Sequence, residues 1–247
     1  MNIYSGISKK IILLNAVIFA FIYVLNTLGN TFLDGGADII SDIFEFTPRH
    51  ALIRPWTFVS YMLIHYDLLH VACNMMIFHL YSKVYLQHHK ESELAKIYPI
   101  SGIVTAVVYF VVSYAMYVLF TLPVFFKPII GSSSSVLFIL SATTFLNYKR
   151  GINIFNLFKT NILLLSSIIF ACFVLFDMDN IGGHVMHLIS IISGCIYAMI
   201  WGKRRYKHMD KTKEYKNLLK KVRYSGFSSL NIEEKKLLGK YSNNSFK

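Results

Sequence analysis

Residues 131–136 read GSSSSV, set between the apolar runs YVLFTLPVFFKPII (117–130) and LFILSATTFL (137–146). Four consecutive serines read most simply as a linker. The flanks argue otherwise. The apolar segment that follows, 133–146, is 14 residues long. At 1.5 Å per residue it reaches roughly 21 Å, short of a hydrocarbon core of about 30 Å. A segment that starts at one membrane surface and stops short of the other leaves its first residues below that other surface. Irregular backbone is tolerated at such a depth only inside protein or beside water. The serines are therefore expected at a helix N-terminus, in a wet pocket within the membrane.

The rest of the chain supports a membrane setting. It has 247 residues, 55% of them hydrophobic, with a mean hydropathy of +0.49. Six apolar segments are expected as helices, at about 11–28, 68–86, 97–120, 133–146, 156–176 and 185–201. The first follows Lys9 and Lys10 and lacks a small-residue cleavage site, so it is read as a retained helix. Cys73, Cys172 and Cys195 lie in apolar stretches without metal-type spacing, and no disulfide framework is expected.

Charge orients the segments. With the N-terminus inside, the inside loops and tail hold 22 of the 25 Lys and Arg residues. The outside segments hold only Arg49, Arg54 and Lys127. This is the distribution of cytoplasmic loops. It favours an even number of spans with both ends cytoplasmic. From 203 onward there are 14 basic and 4 acidic residues; after a span, such a tail points to anionic lipid more than to nucleic acid. The chain is accordingly divided into a membrane domain, 1–203, and a basic tail, 204–247. Two short helices are expected in the tail, broken at Gly226, with a capping box from Asn231 to Glu234. Segment 29–66 is too aromatic for a solvated linker and is expected at the outer interface, with Trp56.

Three polar groups fall at membrane depth, where ionisable side chains default to functional candidates. They are His65, His70 and Asn74 in HYDLLHVACN (65–74), the serines 132–135, and His184 and His187 in GGHVMHLISIISG (182–194). All three lie on the outer side under this topology. His70 and Asn74, four apart, share one helix face. A serine becomes nucleophilic with a base beside it, most often histidine. A helix N-terminus favours the oxyanion that follows. No acidic residue lies within the fourth, fifth or sixth segment, so the chemistry expected is a Ser–His dyad.

These motifs together resemble the rhomboid family of intramembrane serine proteases, over roughly residues 8–203. They are His65-x4-His70-x3-Asn74, Gly131-Ser132-Ser133, and His187 opening the sixth segment. RPWTF (54–58) resembles the family's first loop, and the tail resembles an extension of some bacterial members, the Bacteroidetes group in particular. The resemblance implies an all-α, six-helix membrane bundle in a bacterial inner membrane, with a short cytoplasmic helical tail. It implies Ser133 as nucleophile and His187, which precedes Ser190 and Gly194, as base. It implies His70, Asn74 and backbone N–H groups as oxyanion partners. Gly131 and His65 become structural supports, and the fifth segment and the loop after it a gate. Transmembrane proteins are the implied substrates. No cofactor or metal is implied, and no oligomeric state is assigned.

The chain departs from the family pattern in places. Ser134 follows the nucleophile where Gly or Ala is frequent. Ser190 stands where Gly is common, Leu137 where an aromatic is frequent, and Trp56-Thr57 where Trp-Arg is. Ser134 and His184 are the competing nucleophile and base. Two other classes stay open: a rhomboid-like protein that binds transmembrane helices without cutting them, and a metal site built from His65, His70, His184 and His187.

Overall fold

The computed structural model of the protein describes residues 6–32, 42–86, 89–148 and 180–244. The expected fifth segment, 156–176, and with it Cys172, lies outside them. By Cα proximity the chain divides into two compact units, Met1–Ala198 and Met199–Lys247. Among the described residues, the helices longer than two turns are α1 (Gly6–Phe32), α2 (Leu68–Leu86), α3 (Glu91–Phe120), α4 (Ser133–Tyr148), α5 (Ile181–Ser225) and α6 (Ile232–Asn244). Among the described residues there is no strand, only an isolated antiparallel bridge between Phe46 and Ile129.

Within the first unit, α4 is the central element. Residues 131–144 are buried on every side, as expected of a helix apolar all round. Phe78, Tyr81 and Tyr85 of α2, Leu94, Ile97 and Tyr98 of α3, and Ala198 of α5 pack around it. Its 16 residues span about 24 Å, two more residues than the sequence suggests and still short of a bilayer core. α1 and α3 turn apolar faces outward: Leu13, Val17 and Phe21 of α1, and Val107, Val111 and Val118 of α3, are exposed. Stretches of α1, α3 and α5 (Gly6–Gly29, Glu91–Phe120 and Ile181–Ile200) are long and apolar enough to cross a membrane. α1 is tied to α3 through buried Asn15, whose Nδ2 donates to Tyr98 OH (3.1 Å) and to the Ile11 carbonyl (2.9 Å).

The segment before α2 is folded, not draped. Trp56 Nε1 donates to the Ile43 carbonyl (2.8 Å) and Ser60 Oγ to the Phe44 carbonyl (2.8 Å). Phe46 is fully buried; its ring meets those of Phe58, Tyr61 and Tyr109 at 4.9, 5.8 and 6.2 Å. Leu52, Ile53 and Trp56 stay exposed. Asp67 caps α2, its Oδ1 accepting the His70 N–H (2.7 Å), which satisfies one orphan donor of the first turn.

The helix containing the sixth segment does not end where the apolar residues do: α5 continues from Ile181 to Ser225. The first of the two short tail helices expected from sequence is the end of this one. After Gly226 the chain turns into α6. Glu234 N–H donates to Asn231 Oδ1 (2.8 Å) and Asn231 N–H to Glu234 Oε2 (2.9 Å), the reciprocal pair of a capping box. Lys221 Nζ donates to both carboxylate oxygens at 2.9 Å.

The Lys221 hydrogen bond and the Asn231 N–H hold the Glu234 carboxyl below its ordinary range. A carboxyl so depressed contributes stability above its unfolded pKa, near 4.3, and that contribution is lost as pH falls through the folded value. Hydrogen–deuterium exchange, corrected for intrinsic rates, is expected to show amides 232–236 opening several-fold faster across that fall. Glu234→Ala should exchange fast already at neutral pH, with no further step on acidification. Wild-type protection in Glu234→Ala would dismiss the box as a stabiliser.

Candidate active site

The site forms where α4 begins. Its approach is pinned before the helix starts. Phe46 and Ile129 exchange N–H···O bonds (2.9 Å each), and Gly131 N–H donates to the Tyr61 carbonyl (2.8 Å). Gly131 has φ +105°, a left-handed conformation natural to glycine. A Cβ there would sit 2.6 Å from His70 Nε2 and 3.8 Å from Asn74 Nδ2. The absent side chain is what lets the second-helix pair close on the serine turn.

The four serines, all of them buried, then take different partners. Ser132 N–H donates to His65 Nε2 (3.3 Å), and Ser132 Oγ lies 3.1 Å from the same nitrogen. His65 Nε2 is thus an acceptor, which puts the ring proton on Nδ1. Ser133 Oγ lies 2.8 Å from His187 Nε2. Ser134 Oγ lies 2.6 Å from Tyr61 OH, which itself donates to the Gly102 carbonyl (2.9 Å). Ser135 Oγ donates to the Tyr98 carbonyl (2.8 Å) and to Met62 Sδ (3.2 Å). Of the two serines weighed as nucleophile, only Ser133 faces an imidazole; Ser134 faces a phenol.

His70 and Asn74 stand beside this turn. The His70 ring meets that of His65 edge-on (5.0 Å) and stacks on Tyr66 (6.3 Å). Asn74 is 2% exposed, and its Nδ2 has no hydrogen-bond partner among the described residues. A buried amide N–H beside a candidate nucleophile is a hydrogen-bond donor suited to an oxyanion there. α4 adds the free N–H groups of its first turn and the positive end of its dipole.

α5 supplies the candidate base, His187, and a close seam. Ser190 Oγ bonds back to the Met186 carbonyl (2.7 Å), and Phe138 of α4 meets Tyr197 of α5 at 5.5 Å. A Cβ on Gly194 would fall 2.5 Å from the Phe138 carbonyl and closer still to Ser141 Oγ. The His184 ring lies 6.4 Å from that of His187. Among the described residues no three His, Cys, Asp or Glu are grouped to share a metal ion.

Tyr61 is a neighbour of the serine turn that sequence reasoning missed. It lies in an aperiodic stretch, and its partners Gly102 and Ser134 are 41 and 73 residues away. No spacing rule reaches that far.

Compared with models of protein families, residues 53–204 match the Rhomboid domain. A search of curated proteins gave no match.

Proposed function

The chain belongs to the rhomboid family, and from that premise we propose that it is an intramembrane serine endopeptidase working through a Ser133–His187 dyad. It is an integral membrane protein and a helical membrane bundle. The observation that carries the proposal is the 2.8 Å separation of Ser133 Oγ from His187 Nε2 at the buried N-terminus of α4.

His187 Nε2 takes the Ser133 proton as Oγ attacks the scissile carbonyl. The carbonyl oxygen becomes an oxyanion held by Asn74 Nδ2–H, by N–H groups of the first turn of α4, and by His70. The tetrahedral intermediate collapses as His187 returns its proton to the leaving amine, which leaves an ester on Ser133. Water, deprotonated by the same imidazole, hydrolyses the ester and restores both groups. Gly131 keeps the turn against His70, and His65 anchors it through Ser132. The substrates are transmembrane or juxtamembrane segments. A bond inside a helix is shielded by its i→i+4 hydrogen bonds, so segments with helix-weakening residues near the cut are the better substrates.

The charge distribution supports both termini on the cytoplasmic side, six spans in all, and a membrane domain to about residue 203 followed by the basic tail.

The test is purified protein in detergent with a panel of labelled transmembrane segments and a fluorophosphonate probe. Cleavage, with the probe mapped by mass spectrometry to Ser133, is the expected result. A probe mapped to Ser134 moves the nucleophile, and no labelling with no cleavage removes the activity. Asn74→Ala is expected to lower kcat about 10²-fold, the loss seen when one oxyanion donor is removed, with KM little changed. A kcat within twofold of wild type would take Asn74 out of the oxyanion site.

A further inference from the structure

Three hydroxyls flank Ser133 in sequence, and a catalytic turn with spare protons beside the nucleophile has a problem. Any of them, turned toward the imidazole, competes with Ser133 for the same lone pair. Ser134 directly follows Ser133 in the first turn of α4. Its partner settles its direction. Tyr61 OH donates to the Gly102 carbonyl (2.9 Å), and a phenol has one proton to give. The 2.6 Å contact with Ser134 Oγ is therefore made by the serine donating to the phenol oxygen. Ser134's proton is committed away from His187.

Tyr61 holds the other side of the nucleophile too. Its backbone carbonyl accepts the Gly131 N–H (2.8 Å), so one residue grips positions 131 and 134 and brackets Ser133 between them. Tyr61 is itself fully buried, with Phe46 against its ring. The neighbouring Met62 receives Ser135 Oγ, so the same stretch of loop braces the next turn position.

Resting on the dyad reading above, we propose that Tyr61 is a positioning residue for the reaction. Its hydroxyl, held by the Gly102 carbonyl, takes the Ser134 proton and fixes the first turn of α4 so that Ser133 alone addresses His187. It touches no reacting atom and acts through Ser134.

Tyr61→Phe tests this with one atom removed, keeping the ring and the backbone bond to Gly131. It leaves Ser134 with a buried, unsatisfied proton free to turn on the site. The expected result is about a tenfold fall in both kcat and the second-order rate of fluorophosphonate labelling at Ser133, with KM unchanged, in keeping with small misplacements at a catalytic group. Ser134→Ala removes the competing hydroxyl, so Tyr61→Phe/Ser134→Ala should label faster than Tyr61→Phe alone, recovering at least threefold. Tyr109→Phe, which loses another buried hydroxyl bonded to a backbone carbonyl (3.3 Å to Val124), should label at the wild-type rate. A merely structural tyrosine gives the opposite pattern: Ser134→Ala rescues nothing, and labelling falls only in step with thermal stability. That pattern, or a wild-type rate in Tyr61→Phe, overturns the inference while wild-type labelling at Ser133 leaves the dyad standing. A wild-type protein that neither labels nor cleaves overturns both.

Discussion

His187→Ala is expected to lower cleavage of a transmembrane reporter by about 10³-fold or more, and Ser133→Ala by a similar factor. Members of a catalytic unit fail together, so the double variant should be little slower than either single one. The geometry makes the expectation sharp. Ser133 Oγ is 2.8 Å from His187 Nε2, while the other three serines of the turn lie against His65, Tyr61, Tyr98 and Met62. The imidazole in hydrogen-bond contact with Ser133 is that of His187, so removing it takes away the base the hydroxyl faces. His184 is the residue positioned to contradict this, one turn earlier on α5. His184→Ala is expected to retain most of the activity. Kinetics in detergent, with thermal unfolding measured alongside, decide the matter. Wild-type cleavage in both Ser133→Ala and His187→Ala would end the proposal.

Two independent patterns in the sequence converge on the serine turn. Apolar segment length led to the expectation that residue 133 lies below a membrane surface, and the Lys/Arg distribution to the expectation that His70, Asn74 and His187 share its side. The structure brings these residues together at the start of α4. The apolar run placed the second helix at about 68–86, and α2 spans Leu68–Leu86. Hydropathy did less well wherever a helix outruns its apolar part. α3 starts at Glu91, six residues before the apolar segment, because Glu91 and Glu93 suit the positive end of its dipole. α5 runs through the Trp201–Lys203 boundary because Lys, Arg, Glu and Leu are good helix formers; leaving an apolar environment is not a reason for a helix to end.

What the sequence could not convey is how loop and bundle interlock. The loop from 42 to 67 has no period. Its contribution to the site consists of single contacts made across dozens of residues: the Tyr61 hydroxyl, the Tyr61 carbonyl and His65 Nε2. Ser134 looked like a departure that added an unwanted hydroxyl. Tyr61 gives that hydroxyl a partner, so the departure at 134 is interpretable only with the loop in view. Asn15 and Tyr98, polar residues on two helices, are likewise linked across 83 residues by a hydrogen bond of 3.1 Å.

Gly194→Val is expected to abolish cleavage and probe labelling although residue 194 lies two turns from His187 and touches no reacting group. Between helices in a membrane there is little hydrophobic force to exploit, and close packing over small residues takes its place. Gly194 is such a residue. A Cβ would lie 2.5 Å from the Phe138 carbonyl, 3.2 Å from the Ala142 nitrogen and nearer still to Ser141 Oγ. Two of those three atoms are backbone and do not rotate aside. Even alanine must push α5 off α4, and valine must push further. The Ser133–His187 contact bridges these same two helices with a single hydrogen bond of 2.8 Å. Such a bond is lost beyond about 3.5 Å, so a displacement of under 1 Å transmitted along the seam is enough to break it. Gly194→Ala should therefore be intermediate and Gly194→Val inactive. Labelling at Ser133 should fall in both with cleavage, since the unactivated hydroxyl reacts poorly with the probe. Ser190→Gly is the complementary variant. It removes a side chain from the same helix and creates no new contact, and it should retain labelling within about threefold. A Gly194→Val protein that labels and cleaves normally would mean that α4 and α5 are not the rigid pair on which the dyad depends.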